Sequence, residues 1–138
     1  MNIIPLGEEC YVAGSIDNKF NNSNFRKIAY PFDYVGHTFI DSIIKKINSG
    51  LVVNENDIQI MPSENLFFLC DKTVDFRYWH YNTQKEEFDS EKIKAFLETI
   101  NRRYDRFKKI LYSNEKIIFI TGQHFDFIYK KKNRKNIL

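Results

Sequence analysis

Apolar and polar positions recur at two different periods along the chain, and each change of period marks an element. Ile3-Ile4-Pro5-Leu6 is a short apolar run closed by Gly7, the form of a buried strand that turns sharply at its end. From Glu8 onward Val12, Ala13, Ile16 and Phe20 fall at helical spacing. Glu8 and Glu9 stand in the first turn, where the helix dipole favours acids, and Asn21-Asn22-Ser23-Asn24 closes the helix. Residues 29–36, Ala-Tyr-Pro-Phe-Asp-Tyr-Val-Gly, read as an ordered loop, because Pro31 forces Tyr30 away from helical geometry while the aromatic rings need cover. Thr38 and Asp41 make a weak capping box ahead of a second helix. Its apolar face is Phe39, Ile40, Ile43, Ile44 and Ile47, and it stops at Asn48-Ser49-Gly50.

Leu51-Val52-Val53 and Ile58-Gln59-Ile60-Met61 flank Asn54-Glu55-Asn56-Asp57 and predict a small hairpin or irregular excursion. Residues 66–70 are continuously apolar and 73–81 are dense in β-branched and aromatic residues, so two further strands follow, which can pair with each other. The clearest element is a helix over 90–112, where Ile93, Phe96, Leu97, Ile100, Tyr104, Phe107, Ile110 and Leu111 repeat at three- and four-residue steps. Its opposite face, with Glu91, Lys92, Glu98, Arg102, Asp105, Arg106 and Lys109, is solvated. Residues 116–122 then form a buried strand leaving through Gly122. Such a strand ordinarily feeds another helix, yet a basic segment follows within a few residues, as in a shortened member of a longer fold.

This order of elements predicts an α/β protein: a single layered domain over residues 1–128, with a partly parallel mixed sheet flanked by helices, and a basic tail over 129–138. The 138 residues suffice for a core without disulfide staples, and 13 Phe and 8 Tyr supply an aromatic interior. Cys10 and Cys70 are two cysteines with no secretory leader, which reads as free thiols in a cytoplasmic protein. No apolar run approaches the ~18 residues of a membrane span. The net charge of +3 comes from Lys130, Lys131, Lys132, Arg134 and Lys135, which leave −2 for the rest. The basic run is compatible with an anionic partner, but a solvated terminus is the commoner meaning, and nucleic acid is not the expected ligand.

Candidate chemistry narrows by exclusion. The chain has no phosphate-binding glycine loop, Cys-x-x-Cys, His-Glu-x-x-His or Gly-x-Ser-x-Gly, and the position six after Cys10 is Ile16 rather than the arginine of a phosphatase loop. His37, His80 and His124 lie too far apart to suggest a metal set, and neither metal nor cofactor is expected. Cys10 stands out because it follows a strand and turn near the start of a helix, where unpaired N–H groups favour a thiolate. A buried cysteine acting as a small apolar residue is the alternative there, and it is the plain reading for Cys70. His80, late on a strand, can be aimed rigidly at a thiol, whereas His37 and His124 read as half-buried rings. Asp33, held between aromatics, can orient an imidazole or cap the helix near Thr38.

Two motifs, Leu-Gly-x-x-Cys at Leu6, Gly7 and Cys10 and Tyr-Pro-Phe-Asp at Tyr30, Pro31, Phe32 and Asp33, resemble those of the putative papain-like cysteine peptidases of bacteria and large viruses. Arg102-Arg103-Tyr104-Asp105-Arg106-Phe107 leading into Ile117-Ile118-Phe119-Ile120 is similar to that family's long helix and following strand. The resemblance implies Cys10 as nucleophile, His80 as general base and Asp33 as orienting acid, acting without a cofactor on a peptide, amide or ester. His124 is an alternative to His80. The rival expectation is a non-catalytic interaction domain that keeps the fold and holds a partner through its aromatic loop or basic tail.

Overall fold

The computed structural model describes residues 2–7, 13–14, 29–33, 35–36 and 38–122. Its elements are β1 (Asn2–Gly7), α1 (Ile40–Asn48), β2 (Ile58–Ser63), β3 (Leu66–Asp71), β4 (Phe76–Thr83), α2 (Ser90–Leu111) and β5 (Ile117–Gly122). The α/β expectation is met, with the two kinds of strand pairing segregated. β1 and β5 pair in parallel, from Asn2 opposite Ile117 to Gly7 opposite Gly122, while β2, β3 and β4 form an antiparallel sheet in that order. The helix expected from Glu8 lies outside the described residues except for Ala13 and Gly14, which are helical.

The long helix behaves as its periodicity dictates. Asp89 caps it, accepting the Lys92 N–H at 2.8 Å, and Phe96, Ile100, Tyr104 and Phe107 are its buried stripe. This stripe joins Ile4, Leu6, Phe32, Val35, Leu69, Phe76 and Tyr78 in one hydrophobic cluster. The predicted pairing of the two strands after residue 66 is also present, since β3 and β4 are antiparallel neighbours. The first hairpin has different partners from those the pattern suggested. Asn54 caps a single 3-10 turn at Glu55–Asp57, β2 pairs with β3, and Val53 is held instead by Asn101 of α2. The Asn101 amide accepts the Val53 N–H at 2.9 Å and donates to its carbonyl at 2.8 Å, so a side chain replaces a strand neighbour. Pro62 sits in β2, an edge strand of its sheet, where a missing N–H is tolerated.

Burial departs from the apolar pattern in two places. In α1 the isoleucine face is largely in solvent, with Phe39, Ile40, Ile44 and Ile47 between 37% and 49% exposed, while Ile43 and Lys46 are buried. The reason is Asp71 at the end of β3. Its carboxylate is wholly buried and takes the Lys46 ammonium at 2.6 Å together with the Thr73 N–H at 3.0 Å. The helix therefore turns its 43–46 edge inward, where the lysine stem packs and its head is neutralised. Helix α1 is closed just past its end by Gly50, whose φ of 96° suits a residue without Cβ, as the Gly50 and Leu51 N–H groups return to the carbonyls of Ile47 and Lys46. The second place is β5, expected to be buried: Ile118 and Phe119 are both partly exposed.

Candidate active site

The Tyr-Pro-Phe-Asp segment folds as a tight turn because each of its groups has a fixed destination. Pro31 presets its own φ, the Asp33 N–H reaches the Tyr30 carbonyl at 3.3 Å, and the Tyr30 N–H donates to Asp33 Oδ2 at 3.0 Å. Phe32 plugs the turn into the core, edge-on to Phe76, Tyr104 and Phe107 with ring centroids 6.0, 6.2 and 5.2 Å away. The Tyr30 hydroxyl donates to Asn2 Oδ1 of β1, and Arg106 of α2 donates to the Ala29 carbonyl at 2.9 Å. Arg106, read as part of a solvated face, is thus a tether between helix and loop. The outcome is an ordered loop whose acid, Asp33, is only 3% exposed.

A backbone bridge then ties this loop to β4. The Gly36 N–H donates to the Arg77 carbonyl at 2.8 Å, and the Arg77 N–H returns to the Gly36 carbonyl at 3.0 Å. The glycine lets the Trp79 ring approach closely, to 3.2 Å from where a Cβ would stand. Beyond Tyr78 the β4 ladder loses its regular register. Leu69 faces Tyr78, and continuing that register would set His80 opposite Phe67, but Phe67 pairs with Thr83, so three extra residues are accommodated in β4. Bulged strands bend and re-aim side chains, and this one carries His80 and Tyr81 on exposed positions after the buried Tyr78 and the half-buried Trp79.

The consequence is a pocket of about 270 Å³ lined by Asp33, Val35, Tyr78, His80, Tyr81 and Arg103. Loop, bulged strand and helix thereby bring a carboxylate, an imidazole and a guanidinium to one cavity. Asp33 and His80, separated by 47 positions in the sequence, are two of the three expected site residues. The third, Cys10, lies outside the described residues, as do His37 and His124. Arg103 was not anticipated as a site residue. Its signal was its position, seven residues after Phe96 and three after Ile100, which puts a cation on the edge of the apolar stripe of α2 rather than on the solvated face.

Cys70 has the environment of an inert thiol. It is buried in β3, donates from Sγ toward Asp75 Oδ1 at 3.6 Å, and has its pKa pushed up to about 12 by burial and by the neighbouring Asp75 carboxylate. Burial also pushes the hydroxyls of Tyr78, which lines the pocket, and of Tyr104 well above the usual phenol range, so both stay neutral. Among the described residues no group of three or more His, Cys, Asp or Glu is placed to hold a metal ion. No described helix is long and apolar enough to cross a membrane.

No curated protein and no solved structure matches the chain. A family model does: that of the putative papain-like cysteine peptidases (DUF1796) aligns with residues 1–126 of the 138, a span that takes in both sheets, the Tyr-Pro-Phe-Asp turn and the strand that carries His80. By that match the chain belongs to the putative papain-like cysteine peptidase family.

Proposed function

We propose that the protein is a thiol hydrolase or acyl transferase that attacks an amide or ester carbonyl with Cys10, using His80 as general base and acid and Asp33 to orient the imidazole. The observation that carries this reading is the pocket shared by Asp33 and His80, to which the Tyr-Pro-Phe-Asp loop and the bulged strand β4 each contribute one residue. In the proposed cycle His80 takes the proton of the Cys10 thiol and the thiolate adds to the carbonyl carbon. The imidazolium then gives that proton to the departing amine or alcohol, leaving an acyl thioester. Water, or an acceptor amine or alcohol, gives its proton to His80 as it attacks the thioester, and the proton returns to sulfur as the thiol leaves. The Asp33 carboxylate orients the imidazole, and the Arg103 guanidinium supplies N–H donors suited to the negative charge that develops on the carbonyl oxygen.

Iodoacetamide labelling across pH tests the nucleophile. Cys10 should react faster than a model peptide thiol and titrate well below ~8.5, and His80→Gln should return it to model behaviour. Cys70 is an internal control, since its thiol remains protonated at neutral pH. With an activated ester, Cys10→Ala should abolish turnover and His80→Gln should lower it by about 10²–10⁴-fold. Model-like labelling of Cys10, or turnover surviving Cys10→Ala, refutes the assignment.

A further inference from the structure

The pocket that holds Asp33 does not end the space around His80. A second cavity of about 370 Å³ is also lined by His80 and Tyr81, and it runs along the first half of α2. Its floor is apolar, from Leu69, Phe88, Ala95 and Phe96, with Tyr81 packed 5.0 Å centroid to centroid against Phe96. Its polar lining comes from Asn82, Thr99 and Lys92, which stands 3.3 Å from Glu87 and over the Phe88 ring. An apolar floor with a few polar groups, at this volume, is the composition of a ligand cavity. His80 and Tyr81 form the boundary between it and the more strongly charged pocket.

Resting on the cysteine-hydrolase reading above, we propose that this second cavity binds a bulky apolar substituent on the leaving side of the substrate. The chemical reason is the role of the imidazole. His80 must hand a proton to the atom that departs, so the departing group is carried next to His80, and the apolar space that His80 borders receives its substituent. The class of substrate is an amide or ester whose amine or alcohol portion bears a large aliphatic or aromatic group. A peptide residue with such a side chain and a long-chain alcohol present the same surface to Phe88 and Phe96.

Ethyl, butyl and hexyl esters of N-acetylglycine test the idea, because the three alcohols differ little in basicity and so differ mainly in the surface they offer. kcat/KM should rise about tenfold or more from ethyl to hexyl. Ala95→Trp fills the cavity from an exposed helix position, so it should erase this increment and bring kcat/KM of the hexyl ester down to that of the ethyl ester. N-acetylglycyl-leucine amide against N-acetylglycyl-alanine amide forms the peptide arm. A preference there with none among the esters identifies a peptide substrate, and the reverse identifies a lipid-like alcohol. Equal kcat/KM along both series, with Cys10 activated, overturns the cavity assignment alone. An unactivated Cys10 with no turnover overturns the hydrolase reading and this inference with it.

Discussion

Replacing Lys46 by Met should destabilise the protein far more than any change on the exposed isoleucine face of the same helix. Both partners of the Lys46–Asp71 pair are essentially out of solvent, with side chains 2% and 0% exposed and 2.6 Å between them. Met retains the apolar stem but leaves the Asp71 carboxylate buried with only the Thr73 N–H and hydroxyl to compensate it. Removing one member of such a pair costs about 3–5 kcal/mol, a large share of the ~5–15 kcal/mol that holds an ordinary domain together. For a chain of this length that corresponds to a fall in Tm of roughly 10–15 °C. The charge, not the volume, is responsible, so Lys46→Met combined with Asp71→Asn should recover much of the loss: the amide oxygen still accepts from Thr73 and no unpaired charge remains. Urea unfolding of the wild type, both single variants and the double variant gives the coupling energy. A cost for Lys46→Met below about 1 kcal/mol, or no recovery in the double variant, would falsify the view that Asp71 turns the helix.

Asn101→Ala should lose about 1–3 kcal/mol, because it strips both backbone groups of the buried Val53 of their partner; Asn101→Asp, which keeps only an acceptor, should fall between, and equal stabilities by denaturation would contradict the pairing. Gly36→Ala should displace the Trp79 ring, whose nearest atom stands 3.2 Å from the new Cβ; as Trp79 is the only tryptophan, an unchanged emission spectrum would count against that packing. Stability should fall as pH rises from about 9 toward 12. The Cys70 thiol, like the Tyr78 and Tyr104 hydroxyls, stays protonated longer in the folded state than in the unfolded one, so the contribution is complete below pH 9 and lost through the folded pKa of about 12. Unfolding midpoints between pH 8 and 11 measure this, and a flat or rising profile would sink it.

Local pattern alone was enough for the long helix, for the strands at both ends and for the ordered Tyr-Pro-Phe-Asp loop, because each depends on neighbours a few positions away: an apolar repeat, a proline, a cap. It also singled out Asp33 and His80, each through its own surroundings. What they form together depended on contacts between distant segments. The bridge from Gly36 to Arg77 and the irregular register between β3 and β4 decide which way the loop acid and the strand histidine face. Neither leaves a trace in periodicity, since a bulge adds residues without altering their character. Arg103 entered the pocket for the same reason, standing at the margin of a stripe that reads as core.

Helix α1 shows the division most plainly. Of its apolar repeat Phe39, Ile40, Ile43, Ile44 and Ile47 only Ile43 is buried, because hydrophobic periodicity ranks faces by apolar area and takes no account of a buried carboxylate on another element. Burying Asp71 without a cation would cost more than exposing part of four apolar side chains saves. The sequence by itself determined that a helix forms at 40–48 and where it stops, since backbone hydrogen bonding and Gly50 are local. Only the tertiary structure decided which of its faces is inside, because that choice is a balance between burial on the helix and a charge on a strand 25 residues away.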